Sequence, residues 1–208
     1  MRVDIVHEDR SYSRAGHGKV RVAPGVTLSF QRFMRPVTDV VECTPTSLGA
    51  LPVAIDSRGE LTLPLADHES FWIGLTVEQA PESVLVAVAA ELEGGEKVDV
   101  LSASPWRPDH LCTTNLSETR RICGILRTDG KLDVFSRQTL DGGRMPCVRL
   151  RFYLKGAPLV NSAQESVDTP WLITVLRIVS YETFEAETGL PGPNPLDPAA
   201  GYQGWRLP

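Results

Sequence analysis

The four cysteines of this 208-residue chain, Cys43, Cys112, Cys123 and Cys147, include no CxxC pair. Such scattered cysteines predict reduced, mostly buried thiols in a cytoplasm, with no structural disulfide. Missing too is any apolar run near the ~20 residues that a membrane-spanning helix needs. Residues Met1 to His7 carry no cationic leader followed by an apolar stretch, so the expectation is a soluble, unexported, cytoplasmic protein with no membrane partner. Positive charge is also short. The 21 Lys and Arg against 26 Asp and Glu leave a formal −5, which favours solubility but offers no cationic field for a phosphate backbone. Nucleic acid is therefore not expected as a partner.

The signature motifs of several large enzyme classes are absent: no GxSxG elbow, no phosphate-cradling glycine loop ahead of a helix, no HExxH and no EF-hand loop. An enzyme whose residues meet only in three dimensions escapes that test. The soft and imidazole ligands that suit zinc, His110, Cys112, Cys123 and Cys147, lack the close pairs of compact metal motifs, and a buried cysteine behaves as a small hydrophobe. No metal or other cofactor is expected. Asp67-His68-Glu69 and Asp109-His110 set carboxylates beside imidazoles, but strand neighbours point to opposite faces and seldom work as a pair.

What the chain has in quantity is alternation. Hydrophobic residues make up 42% and charged residues 23%, enough for a sizeable core. Apolar positions recur every second residue between Gly, Pro and Asp turns, the pattern of many short antiparallel strands. The expected strands are Arg2 to Val6, Lys19 to Val22, Val26 to Phe33, Leu51 to Ile55, Glu60 to Leu65, Phe71 to Val77, Val84 to Leu92, Lys97 to Leu101, Arg121 to Leu126, Leu132 to Ser136, Cys147 to Leu154 and Trp171 to Ser180. Reversals are expected at Arg58-Gly59, Gly94-Gly95, Asp129-Gly130 and Gly142-Gly143, where glycine tolerates the positive φ of a tight turn. In Cys147 to Leu154, Val148, Leu150, Phe152 and Leu154 should face the core, with Arg149, Arg151 and Tyr153 outward. The apolar run Val84 to Leu92 reads as strand because Val84, Val86 and Val88 are β-branched and a Gly-Gly turn follows. One short helix could form near Asn115 to Arg121. The fold class expected is all-β: an antiparallel, jelly-roll-like sandwich over residues 1–184, with long loops and few helices. A Pro-rich C-terminal arm over 185–208 would stay mobile or lie extended across a surface.

Several segments together resemble a family of uncharacterised, mostly bacterial proteins without an established activity. They are Ser29-Phe30-Gln31-Arg32-Phe33-Met34-Arg35, Gly59 through Pro64, Glu69-Ser70-Phe71-Trp72-Ile73, the apolar run through Ala90, Pro105-Trp106, and Val148-Arg149-Leu150-Arg151-Phe152-Tyr153. The likeness covers about Val26 to Leu154. It departs where the family tends to carry Leu-Asp and Arg-Gln-Phe segments and this chain has Arg107-Pro108-Asp109 and Arg121-Ile122-Cys123. The resemblance implies a compact β-rich fold and supplies no catalytic residue.

The functional expectation is a non-catalytic protein-interaction or assembly module of a bacterial cytoplasmic system. Its arm, bearing Tyr202 and Trp205, would contact a protein partner or a second copy. Trp106 and Arg107, in the rigid Ser104-Pro105-Trp106-Arg107-Pro108 loop, are the other candidate binding residues. Two alternatives are a hydrolytic site near Asp109, His110 and Cys112, and carbohydrate binding through Trp106. Trp72 and Trp171 read as core packing, and Glu69 as the one residue of the Gly59 to Leu92 stretch to check for an unexpected partner.

Overall fold

The computed structural model describes residues 4–7, 18–23, 25–58, 60–77, 85–102, 104–105, 107, 114–115, 121–155 and 171–197. Along them run β1 (Asp4–His7), β2 (Gly18–Ala23), β3 (Val26–Met34), β4 (Val40–Val41), β5 (Ala54–Ile55), β6 (Leu61–Pro64), β7 (Glu69–Val77), β8 (Leu85–Leu92), β9 (Lys97–Asp99), β10 (Thr114–Asn115), β11 (Arg121–Ile122), β12 (Ile125–Leu126), β13 (Leu132–Asp133), β14 (Cys147–Lys155), β15 (Trp171–Val179) and the helix α1 (Tyr181–Thr188). The fold is an all-β sandwich, as alternation predicts. One sheet has the order β1-β2-β3-β7-β11; a second has the order β10-β8-β14-β15-β6-β5, with β9 also on β8; a third, small sheet is β12-β13-β4.

The two large sheets face each other across one core. Val26, Leu28, Phe30, Phe71, Ile73 and Leu75 from the first meet Val88, Leu150, Phe152, Leu154, Leu176 and Ile178 from the second. Phe30 contacts Phe152 edge-on at 6.3 Å and Phe71 at 6.0 Å, and Phe71 stacks on Phe135 at 5.2 Å, within the range where ring geometry adds to area burial. The opposite face of β3 and β7 carries Phe33 and Trp72. The small sheet covers it, contributing Val41 and the partly buried Leu132 beside Cys123, Val134 and Leu140. Trp72 packs there, as expected, with the Arg121 guanidinium 5.4 Å from its ring centre. Only the backbone of Trp171 falls within the account, at the start of β15.

Of the stretch Val84 to Leu92, Leu85–Leu92 is strand, as the β-branched Val86 and Val88 indicate, and Val84 lies outside the described residues. Three of the reversals form too: Gly94-Gly95 joins β8 to β9, Asp129-Gly130 joins β12 to β13, and Gly142 and Gly143 have φ of 94° and 83°; Gly59, of the expected Arg58-Gly59 reversal, lies outside the described residues. Other expectations change. The stretch Arg121 to Leu126 divides at Cys123-Gly124, where the chain passes from the first sheet to the small one. Leu51 is not in β5, because its N–H donates to Phe30 O at 2.7 Å and the segment 48–51 borders β3 instead. Lys97 to Leu101 ends at Asp99, whose carboxylate accepts the Leu101 N–H at 2.8 Å and turns the chain. Asn115 and Arg121 lie in strands β10 and β11 rather than at the ends of a helix; residues 116–120 fall outside the described residues. Within β14 a register shift between Cys147 and Arg149 puts Cys147, not Val148, into the core. Tyr153 keeps the face opposite the core, since Leu150, Phe152 and Leu154 all line the core, but it is buried there against Ala87 and Ala89. The bulge at Val148 accounts for the first change, because an added residue inverts the alternation across it.

One pairing is parallel. β15 runs alongside β6 with Leu176 opposite Leu61 and Val179 opposite Pro64, against the expectation of antiparallel neighbours. Both strands therefore leave the sandwich at the same end, β6 through a turn into β7 and β15 through Ser180 into α1. The signals for α1 are in the sequence: Ser180 accepts the Thr183 N–H at 3.1 Å, Glu182 sits in the first turn, and Gly189 closes the helix at φ 69°. Phe184 anchors it against Ala54 and Val179.

Gly124 tests the junction between sheets, since a Cβ there would lie 2.2 Å from the Asp133 carbonyl oxygen. Gly124→Ala is expected to cost about 1–3 kcal/mol in urea unfolding, because β12 and β13 must separate to admit it. A wild-type midpoint would contradict this packing.

Candidate functional site

At the end where β6 and β15 exit, the inner face of β3 and β7 changes from apolar to charged. The pairs Leu28–Leu75 and Phe30–Ile73 give way to Arg32–Phe71 and Met34–Glu69. Arg32 and Glu69 are thus diagonal neighbours on the core side, within reach of each other's long side chains. The Phe-Gln-Arg and Glu-x-x-Trp segments are cross-strand partners. Glu69 has no exposed surface, and a buried carboxylate is tolerated only with donors around it.

Three donors serve it. Arg32 Nη1 reaches Oε1 at 3.4 Å, the Tyr181 hydroxyl donates to Oε2 at 2.5 Å, and the backbone N–H of Leu196 donates to Oε1 at 2.8 Å. Tyr181 is the first residue of α1, on the stripe shared with Phe184 and Glu187 that faces the sandwich. Burial and the hydrogen bond to Glu69 push its phenol well above the usual tyrosine range, so it is a fixed donor and not a base. Arg32 lies against Gly49, where a Cβ would come within 3.5 Å of its Nε. That Nε is buried with no hydrogen-bond partner among the described residues.

The same side chains hold the segment after the helix. Beyond Gly189, residues 190–197 run as an extended strap over the site. Arg32 Nη1 donates to Asn194 O at 2.7 Å, and His68 Nε2 lies 2.7 Å from Leu196 O. A carbonyl can only accept, so His68 carries its proton on Nε2. Asp67-His68-Glu69 does not work as a carboxylate–imidazole pair. Instead His68, placed by the Arg35 N–H donating to its carbonyl at 3.0 Å, and Glu69 grip the carbonyl and the N–H of one residue, Leu196. Gly192 rests on Tyr181, where a Cβ would approach Tyr181 Cβ and Cγ to 3.2 Å.

The C-terminal end of α1 is held ionically. Arg177 on β15 donates to Asp56 at 2.7 Å and to Glu187 at 2.9 Å. Asp56 is buried, which would raise its carboxyl, but the N–H groups of Glu60 and Arg58 and the Arg58 charge outweigh this and hold it below the usual range. A separate open groove of about 470 Å³ is lined by Glu96, Arg127, Asp133 and Arg144 beside the Gly142-Gly143 turn. Asp133 engages both of its arginines, Arg144 at 2.5 Å and Arg127 at 3.3 Å.

Of the residues proposed from sequence, Arg107 is exposed. Trp106, Asp109, His110, Cys112, Tyr202 and Trp205 lie outside the described residues. Cys123 and Cys147 are not brought together: they occupy different apolar clusters. Burial raises both thiols, that of Cys147 to about 12. Among the described residues no group of three or more His, Cys, Asp or Glu is placed to hold a metal ion, and no helix is long and apolar enough to cross a membrane. The arm expected from 185 begins inside α1, and its stretch 190–197 lies extended on the surface, one of the two states its composition allows. Sequence reasoning singled out Glu69 but not Arg32, His68 or Tyr181 as its neighbours. The available signal was an acid and an arginine at the ends of two otherwise apolar strands. No family model, curated protein or solved structure matches the chain.

The arrangement offers one chemistry: an acceptor for a peptide N–H and two donors for peptide carbonyls, spaced along an extended backbone. Glu69→Ala is expected to destabilise the protein by about 3–5 kcal/mol, since it strands the Arg32 charge. Tyr181→Phe should cost about 1.5–3 kcal/mol, the range for a hydrogen bond to a charged group, and His68→Ala about 1 kcal/mol. Equal small losses for all three in chemical denaturation would show that Glu69 does not organise the site.

Proposed function

We propose that this chain is a non-catalytic protein-interaction or assembly module of a bacterial cytoplasmic system, whose C-terminal arm makes the partner contact. One observation carries the reading: Arg32, His68 and Glu69 bind the arm through main-chain atoms of Asn194 and Leu196. Side chains that capture a backbone in this way are the chemistry of peptide docking, in which main-chain hydrogen bonds supply affinity. The prolines at 191, 193 and 195 favour an extended conformation before docking, which lowers the entropy lost on ordering. Beyond the anchored Leu196 the sequence carries two large aromatics, Tyr202 and Trp205. Tyr and Trp are the residue types that most often dominate interface energies.

The test is truncation after Asp197, which removes Tyr202 and Trp205 and leaves every described contact of the strap. Tagged full-length protein recovered from the cells that make it should bring down a partner protein, and the truncated form should not, with its unfolding temperature unchanged. Identical sedimentation and co-purification profiles for both forms would overturn the proposal.

A further inference from the structure

The strap and its socket are separable parts joined by one residue. The socket is Arg32 on β3 with His68 and Glu69 at the head of β7; the strap is 190–197, which follows α1. Between helix and strap stands Gly189, at φ 69°, a left-handed conformation that glycine adopts freely and β-branched residues resist. Its N–H donates to Glu185 O at 2.9 Å, and the Leu190 N–H donates to the Thr188 hydroxyl at 3.2 Å. The closed turn therefore depends on a single backbone conformation. Beyond it the strap buries little apolar surface: Leu190 is 47% exposed, and Pro191, Asn194 and Pro195 are exposed too. What holds it is the set of main-chain hydrogen bonds to Asn194 and Leu196 and the seat of Gly192 on Tyr181.

We infer that the socket takes the same strap from a second copy of this chain, giving an arm-exchanged dimer. The inference rests on the arm being the contact element and assigns its strap, apart from the residues beyond Asp197, a second copy as partner. Every socket contact is to backbone or to Gly192, so a strap arriving from another molecule makes the same set. An empty socket would leave buried Glu69 without one of its three donors, and His68 and Arg32 without the carbonyls they bind. An occupant is thus strongly preferred, and the strap of a second copy, with its glycine at 192, meets the same contacts. In the closed form the tether gives the internal strap a high effective concentration, so the balance between closed and exchanged forms lies with the hinge. Exchange of an identical element about a short hinge is a low-cost route to a dimer.

The experiment uses full-length protein in sedimentation velocity across a concentration series. Gly189→Val opposes the closed turn without touching strap or socket, and should raise the dimer fraction at least tenfold over wild type at equal concentration. Gly189→Asn, which tolerates the left-handed conformation, should behave as wild type. Adding Gly192→Val to Gly189→Val should abolish the gain, because the strap can no longer lie on Tyr181 in either molecule. A folded Gly189→Val protein that is no more dimeric than wild type overturns the inference, as does a dimer that survives Gly192→Val. Should Gly189→Val fail to fold, Gly189→Ala opposes the same turn more mildly and must show the same direction of change. Loss of partner capture on truncation after Asp197, with no dimer from either hinge variant, would sink exchange alone and leave the interaction-module reading standing.

Discussion

Glu69 is a carboxylate with no exposed surface at the end of an apolar strand, and its three donors come from three separate parts of the chain: Arg32 from β3, Tyr181 from α1, and the Leu196 N–H from the strap. A charge taken out of water costs several kcal/mol unless such partners replace the lost hydration. That cost is why the helix lies where it does and why the strap follows it across the sheet end. Each donor also has a second task. Arg32 binds Asn194 O, Tyr181 supports Gly192, and Leu196 presents its carbonyl to His68. The cluster is a joint through which the closing sheet, the helix and the strap depend on one another.

The parallel β6–β15 pair is the topological condition for this joint. Had β15 run antiparallel to β6, its exit would lie at the far end of the sandwich and Tyr181 could not meet Glu69. The ionic contacts among Asp56, Arg177 and Glu187 at its C-terminal end, with the seat of Phe184, also hold α1, so Tyr181 is fixed before the strap is added. A preformed acceptor and two donors, set at the spacing of alternate residues in an extended chain, then make the sheet end a surface that reads backbone. The proposed function follows from that property.

Much of this was legible in the sequence. Alternation and Gly turns marked the strands and hairpins, and β-branched residues marked β8 as strand in spite of its alanines. The acid at Glu69 stood out in an apolar run. Val148 yields its core place to Cys147 because a bulge in β14 shifts the alternation, and a bulge has no period of its own to read; Tyr153 keeps its expected face but is covered there against Ala87 and Ala89. The helix was signalled by Ser180, Glu182 and Gly189, but eight residues between a strand and a Pro-rich stretch are too few for periodicity to register. Alternation from Val26, Leu28 and Phe30 places Arg32 on the core face of β3, but nothing local in the sequence names the carboxylate it meets there. The joint itself unites residues 32, 69, 181 and 196, and contacts so distant along the chain leave no local pattern.

The central claim is that the strap's backbone is part of what lets Glu69 remain buried, and amide hydrogen exchange at Leu196 tests it most directly. Leu196 lies in an extended segment with no strand partner, flanked by exposed residues, and without Glu69 its N–H would exchange at the rate of an open chain. The account predicts strong protection at the Leu196 amide, lost in Glu69→Ala and retained in His68→Ala. An unprotected Leu196 amide in the wild-type protein would contradict it.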